Sequence, residues 1–218
     1  MSVCGITTKG NPEQAELVRI LMDNYHPIVA VTGPAGTGKN LLSLACALEQ
    51  VYVEHKYDKI IYARDVYQVG ESVGFLPGDI NEKIDPFMGA LWDNLEVIGK
   101  YSGYNVNDMR SKIEVVPVFS LRGRSFESKI LIFDEAQNSD VNTLRTVLTR
   151  MGDFSKVIFL GSYNQIDNKN MNRRRTDLER VIEKLSDLSI FAHVELKKSM
   201  RSKWCAEIDK LLGELDND

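Results

Sequence analysis

The feature that most constrains the fold is a glycine-rich stretch that directly follows an apolar run. Residues 27–33 (PIVAVTG) predict a buried strand, and GPAGTGKN (33–40) leads from it into a helical pattern over 39–54. Glycines in such a turn let backbone amides approach an anion at the start of the helix. The spacing G-x-x-x-x-G-K is typical of a phosphate-binding loop, whose lysine reaches the β- and γ-phosphates of a nucleotide. The sequence therefore predicts a nucleotide site on Gly33, Pro34, Ala35, Gly36, Thr37, Gly38, Lys39 and Asn40.

The last residue of this loop, Asn40, departs from the usual pattern. A serine or threonine hydroxyl normally stands there and contacts the magnesium ion of the bound nucleotide. A carboxamide oxygen is also a magnesium ligand, but it lies one bond further from the backbone. Since Mg²⁺ demands near-octahedral geometry at about 2.0–2.1 Å, the oxygen must fold back, push the ion outward or act through water. We expect Asn40 to preserve nucleotide binding and to slow turnover.

A second stretch carries the acidic groups that nucleotide hydrolysis needs. ILIFDEAQN (130–138) is an apolar run that ends in Asp134 and Glu135. An aspartate at the end of a strand beside a phosphate-binding loop holds Mg²⁺, and the adjacent glutamate can orient or deprotonate the attacking water. The two stretches together predict a site that takes ATP and Mg²⁺, with Asn40 and Asp134 as metal ligands.

Strand-like and helix-like patterns alternate along the chain, which predicts an α/β fold with a mostly parallel sheet flanked by helices. We find no repeat or linker-like change of composition, so we expect one domain over residues 1–218. A turn-rich segment at 69–87 is long enough to suggest a functional loop. Candidate strands are 27–33, 59–64, 113–118, 129–135, 156–161 and 193–197. Candidate helices are 39–54, 80–99, 140–151, 174–186 and 202–214.

Composition excludes several other classes of protein. Three cysteines and three histidines lack the spacing of a disulfide framework or a metal cluster. We find neither a signal peptide nor an apolar run long enough to cross a membrane, and we expect a cytoplasmic protein. The net charge is −4, but residues 167–203 hold ten Lys or Arg against six Asp or Glu. That segment is either a solvated surface or a contact for nucleic acid.

These motifs resemble those of the PhoH-like protein family, RecA-type ATPases related to superfamily 1 helicases. The resemblance covers about residues 11–212 and rests on GPAGTGK, VGESVGFLPGDINEKIDPF (69–87), LRGRS (121–125), FDEAQN and GSYNQID (161–167). It implies a single RecA-like domain that hydrolyses ATP, with RNA or single-stranded nucleic acid as a partner. It also implies a ring of identical subunits, with a hexamer favoured, because one RecA-like core leaves the nucleotide open on one side.

The resemblance implies roles for residues outside the phosphate-binding loop. Gln14 matches the glutamine that reads adenine, and Gln165 matches the one that senses the γ-phosphate. Arg201 matches a late arginine that stabilises transferred charge, which makes Lys39, Glu135, Gln165 and Arg201 the expected catalytic set. The expected contacts for nucleic acid are Arg64, Arg122 and Arg124.

Three positions differ from the family pattern. Asn40 replaces a threonine, Ser162 an aspartate and Asp65 a proline. The first two affect the metal and coupling chemistry, and the third affects the contact expected at Arg64. Besides an ATPase, the sequence therefore leaves open an ATP-binding assembly or sensor module with weak or no hydrolysis. A small-molecule kinase shares the phosphate-binding loop, but Asp-Glu-Ala-Gln and NQID are typical of hydrolysis.

Overall fold

The computed structural model describes residues 1–8, 10–65, 88–162, 175–200 and 204. A short hairpin comes first, and strands and helices then alternate along the chain. The strands are β1 (Ser2–Val3), β2 (Ile6–Thr7), β3 (Ile28–Thr32), β4 (Lys59–Arg64), β5 (Ile113–Pro117), β6 (Lys129–Asp134), β7 (Lys156–Gly161) and β8 (Phe191–Glu195). The helices are α1 (Pro12–Met22), α2 (Lys39–Leu48), α3 (Gly89–Ser102), α4 (Val106–Ser111), α5 (Val141–Leu148) and α6 (Asp177–Leu185).

Six strands form one sheet in the order β5-β4-β6-β7-β3-β8, and every neighbouring pair is parallel. The carboxyl ends of these strands therefore meet at one edge, where ligands bind in open α/β sheets. The loop after β3 and the acidic end of β6 lie at this edge, with β7 between them. This order brings the two motifs of the sequence together.

Both faces of the sheet are covered, because alternate residues of each strand point to opposite sides. On β4, Ile60 and Tyr62 belong to the core beneath α1, α2 and α3, whereas Ile61 and Ala63 belong to the core beneath α5 and α6. Strands buried on both faces read as continuous apolar runs, which is the pattern seen in the sequence.

Local signals fix where the helices begin. Asn11 caps α1 by accepting a hydrogen bond from the Gln14 backbone amide, and Pro12 stands at the first helical position. Thr176 and Glu179 form a reciprocal capping box at the start of α6. The cap of α1 places Gln14 in the first turn, facing the loop after β3.

The predicted fold class is confirmed, and the strands at 59–64 and 156–161 have the predicted bounds. The last strand was predicted two residues too late, because it begins at Phe191, which pairs with Ile28. The helix at 39–54 continues as predicted but changes to a π-helical turn over Glu49–Val53. Helices α1 and α4 and the β1–β2 hairpin were not predicted. Predictions for 69–87 and 202–214 fall almost entirely outside the described residues. No described helix is long and apolar enough to span a membrane.

Candidate nucleotide site

The loop between β3 and α2 has the backbone shape of an anion cradle. Gly36 and Gly38 have φ angles of 76° and 92°, in the left-handed region that glycine adopts at low cost. Helix α2 begins at Lys39, immediately after Gly38. The start of α2 lies at a pocket of about 330 Å³ whose lining includes Gly36, Gly38 and Lys39. Such a helix start favours a phosphate group.

Two side chains donate hydrogen bonds to backbone carbonyl oxygens of this loop. The Lys39 ammonium donates to the carbonyl oxygens of Gly33 at 2.6 Å and Pro34 at 2.9 Å. The Gln14 amide nitrogen donates to the Thr37 carbonyl oxygen at 2.9 Å. Gln14 therefore meets the loop that the sequence assigned to the nucleotide. Its predicted contact with adenine stays a prediction.

The segment after β8 packs directly on the loop. A side chain at position 33 would place its Cβ 2.0 Å from the Leu196 carbonyl oxygen, so only glycine fits there. The Leu196 amide donates to Thr32 O at 2.8 Å, and the Met200 amide donates to Gly36 O at 2.8 Å. Residues 196–200, which we call the strap, are also tied to α1, because Glu13 accepts from the amides of Lys197 and Lys198.

Asp134, at the end of β6, is almost completely buried and accepts three hydrogen bonds. Its Oδ1 accepts from the Asn40 amide nitrogen at 2.9 Å and from the Glu135 backbone amide at 3.0 Å. Its Oδ2 accepts from the Tyr62 hydroxyl at 2.8 Å. Burial raises the pKa of Tyr62 well above its ordinary value, and the charge of Asp134 raises it further. Tyr62 therefore remains a protonated donor.

The residues present fit a magnesium ion held in the manner of nucleotide sites. No group of three or more His, Cys, Asp or Glu side chains that could hold a metal occurs among the described residues. Mg²⁺ in such sites takes one or two protein oxygens, and phosphates and water supply the rest. Asn40 directs its nitrogen to Asp134, so its carbonyl oxygen, on the other side of the same planar group, is the atom that would meet the ion. Asn40 and Asp134 both line the pocket.

Glu135 follows Asp134 in a left-handed conformation, with φ 55° and ψ 36°. A non-glycine residue in this region is strained, and such strain often occurs at functional sites. Its carboxylate accepts from the Gln137 amide nitrogen at 2.7 Å and lies 3.9 Å from the Arg64 guanidinium. Gln137, fully buried, accepts in turn from the Ser162 backbone amide at 3.1 Å. Glu135 is thereby joined to the end of β7.

The arginines expected to contact nucleic acid lie in two different settings. Arg64 ends β4 beside Glu135, and the neighbouring Asp65 accepts a hydrogen bond from Ser139 at 3.0 Å. Arg122 is exposed in the turn after β5. Arg124 donates to Glu114 at 2.8 Å and lies over the Phe126 ring. Of the three, only Arg64 lies next to the acidic end of β6.

Sequence reasoning missed several residues of this site. Tyr62 and Gln137 contact the two acidic residues, and Asp93 and Asn94 of α3 also line the pocket. The apolar pattern gave no signal for Tyr62, whereas the Gln of Asp-Glu-Ala-Gln was visible without an assigned role. The predicted catalytic residues Gln165 and Arg201 lie outside the described residues.

Known proteins are similar in sequence to this chain over most of its length. Residues 6–212 match the family described as PhoH-like protein. The PhoH2 protein of Mycolicibacterium smegmatis is 37% identical over 204 residues, covering 93% of this chain and 46% of that protein. The PhoH-like protein of Synechocystis sp. is 40% identical over 149 residues, covering 68% of this chain and 45% of that protein. This chain thus spans about half the length of the curated relatives it matches.

Among solved structures, the large terminase of a thermophilic bacteriophage is similar in fold. The TM-score is 0.51 at 13% sequence identity, and the match covers 91% of this chain and 49% of the terminase. At this identity the likeness concerns the fold alone.

Proposed function

Because the chain belongs to the PhoH-like protein family, we propose that it binds ATP with Mg²⁺ and hydrolyses the γ-phosphate. The chain has the RecA-like P-loop NTPase fold, and one observation supports the proposal above all others. The Asn40 amide bonds to Asp134 at 2.9 Å, which joins the phosphate-binding loop to the acidic end of β6. Glu135 lines the same pocket.

In the proposed reaction the loop amides and Lys39 hold the phosphates. Phosphate oxygens would replace the carbonyl oxygens of Gly33 and Pro34 as acceptors for the Lys39 ammonium. Glu135 accepts a proton from the attacking water while the water oxygen bonds to the γ-phosphorus and the bond to ADP breaks. Asn40 and Asp134 would hold Mg²⁺, which when bound would supply positive charge against the charge that develops on the phosphates. The products are ADP and inorganic phosphate.

The direct test is ATP binding and turnover by the purified chain. Wild-type protein should bind ATP in calorimetry and release inorganic phosphate when Mg²⁺ is present. Lys39→Ala should lose ATP binding, because it removes the cation that contacts the phosphates. Equal ATP affinity in wild type and Lys39→Ala would contradict the proposed site.

A second candidate is an ATP-binding assembly or sensor module with little hydrolysis. It is favoured by Ser162, which has a hydroxyl where the family pattern has an aspartate. Ser162 lines the pocket, and its buried hydroxyl has no hydrogen-bond partner in the part of the chain that the structure describes. Nucleotide binding with phosphate release no faster than in Glu135→Gln would favour this candidate over the ATPase.

We further propose that the ATPase acts with RNA or single-stranded nucleic acid, in the manner of a helicase or translocase. Support comes from Arg64, whose guanidinium lies 3.9 Å from the Glu135 carboxylate. A nucleic-acid phosphate that draws Arg64 away would change the surroundings of Glu135, so binding and turnover would be linked. Anisotropy with a labelled single strand should show binding that weakens steeply with salt. An absence of binding at low salt would contradict this part of the proposal.

The proposed working form is a ring of six identical chains in the cytoplasm. The described residues supply one phosphate-binding loop and one six-stranded sheet, so the far side of the nucleotide needs another wall. A neighbouring subunit that supplies Arg201 would provide it, and head-to-tail contacts of this kind close into rings. Light scattering with and without ATP measures the assembly. A monomer that hydrolyses ATP at the full rate would contradict the ring.

A further inference from the structure

We propose that Tyr62 is a positioning residue for the magnesium site, which fixes the carboxylate of Asp134 together with Asn40. The inference rests on the proposed function, because it concerns the metal that accompanies ATP. No motif in the sequence marks Tyr62, which lies inside β4, two residues before its end.

The hydrogen bonds of Asp134 determine which of its lone pairs remains open. An ionised carboxylate has about four lone-pair sites. Asn40 and the Glu135 backbone amide occupy two on Oδ1, and the Tyr62 hydroxyl occupies one on Oδ2. The remaining site is on Oδ2. Tyr62 thus determines which direction Asp134 presents to a cation or to its water shell.

Packing alone does not require this hydroxyl. Tyr62 is 2% exposed and belongs to the apolar core beneath α2, where a phenylalanine ring would fill the same space. A buried tyrosine usually directs its hydroxyl to a hydrogen-bond partner. Here the partner is the carboxylate expected to hold the metal, and Asn40 of α2 bonds to the same carboxylate. Strand β4 and helix α2 therefore each supply one hydrogen-bond donor to Asp134.

The Asn40 side chain explains why a second donor matters. A hydroxyl at position 40 would use one oxygen both to bind Mg²⁺ and to donate to Asp134. The carboxamide divides these tasks between its oxygen and its nitrogen, on a longer side chain. Tyr62 holds the opposite oxygen of Asp134, so the carboxylate cannot rotate to follow the longer side chain. Partners of this kind typically contribute ten- to a hundredfold to metal affinity or activity.

The experiment compares Tyr62→Phe with Tyr57→Phe, which removes the same hydroxyl from a largely buried tyrosine two residues before β4, outside the pocket lining. Calorimetry measures ATP affinity in EDTA and across a Mg²⁺ titration. Tyr62→Phe should lower the apparent Mg²⁺ affinity by about tenfold or more and leave ATP affinity in EDTA unchanged. Tyr57→Phe should match wild type in both.

Equal Mg²⁺ dependence in the two variants would overturn the inference, as would an equal loss of ATP affinity by Tyr62→Phe with and without Mg²⁺. Wild-type protein that binds no ATP would overturn the proposed function itself, whereas normal ATP binding with equal Mg²⁺ dependence in the two variants would overturn only the role of Tyr62.

Asn40→Thr, alone and combined with Tyr62→Phe, provides a second test. Effects on Mg²⁺ affinity should be non-additive, because both residues hold one carboxylate. Strictly additive effects would contradict the shared role.

Discussion

At the scale of single residues, Asn40 has a longer side chain than the usual threonine, yet it keeps a hydrogen bond to Asp134. The amide nitrogen retains the link to Asp134 that a hydroxyl would make. The carbonyl oxygen, however, lies further from the helix than a hydroxyl oxygen would. Contact between loop and strand is therefore preserved, whereas an ion bound to this carbonyl oxygen would lie further from α2 than one bound to a hydroxyl.

We accordingly expect Asn40→Thr to increase kcat at saturating Mg²⁺ and to change ATP affinity little. The gain should be on the order of tenfold, the lower end of effects seen when the surroundings of a metal change. Steady-state phosphate release across a Mg²⁺ titration measures it. A threonine variant no faster than wild type would mean that the carboxamide oxygen is already a competent ligand.

Glu135 offers a second prediction at this scale. Its replacement by glutamine removes the proposed proton acceptor but keeps the size of the side chain, so kcat should fall by roughly 100-fold or more while ATP affinity is retained. The acceptor acts on the transition state, and binding of the ground state does not depend on it. Glu114→Gln is the control, because Glu114 pairs with Arg124 and does not line the pocket. Full activity of Glu135→Gln would assign water activation to another residue.

At the scale of elements, the site depends on a strap that has no motif of its own. Residues 196–200 follow the edge strand β8, bond to the loop at Thr32 and Gly36, and bond to α1 through Glu13. His193 of β8 adds a hydrogen bond between its Nε2 and the Thr32 hydroxyl at 2.8 Å, and desolvation of the ring lowers the pKa of His193. The phosphate-binding loop is therefore held between α1 and the chain that leaves β8.

Replacing Gly33 tests this packing. Gly33→Ala should destabilise the fold and abolish ATP binding, because its Cβ would meet the Leu196 carbonyl oxygen at 2.0 Å. Gly103→Ala is the control, since Gly103 also has a positive φ but has open space around it. The control should cost only about 1–2 kcal/mol of backbone strain. Thermal unfolding and calorimetry measure both variants, and equal melting temperatures would contradict the role of the strap.

The same elements show what the sequence could and could not predict. Apolar runs located the buried strands, because strands covered on both faces need no polar alternation. The start of β8 was misplaced because its register is set by pairing with β3, as Phe191 opposite Ile28 shows. The role of Tyr62 depends on how β4, β6 and α2 meet, which no local pattern contains. Helix α1 could have been found, since Asn11 and Pro12 are readable start signals.

At the scale of the whole molecule, a buried cation lies at the amino-terminal ends of the strands, opposite the nucleotide site. Lys156 begins β7, is 1% exposed, and donates to the carbonyl oxygens of Leu21 and Asp23 at the end of α1. Burial lowers the pKa of Lys156 from 10.5 to about 8, against a smaller opposite effect of the Asp23 charge. This lysine links α1 to the sheet far from the phosphate-binding loop.

The lowered pKa gives a stability prediction with a definite sign. Between about pH 8 and the unfolded value near 10.5, the unfolded chain binds more protons at Lys156 than the folded chain does. The contribution of Lys156 to the free energy of unfolding therefore increases as pH rises through this window. Two buried thiols act in the opposite direction, because burial raises the pKa of Cys4 and of Cys46, so the total stability of wild type is not a clean measure.

The informative quantity is the unfolding free energy of wild type minus that of Lys156→Met, from urea titrations at several pH values. Methionine keeps the length of the side chain and removes the titrating group, while both thiols remain in both proteins. The difference should be flat below about pH 8 and should then rise by roughly 1–3 kcal/mol up to pH 10.5. A flat difference for Lys156→Met would mean that Lys156 titrates alike in the folded and unfolded chains.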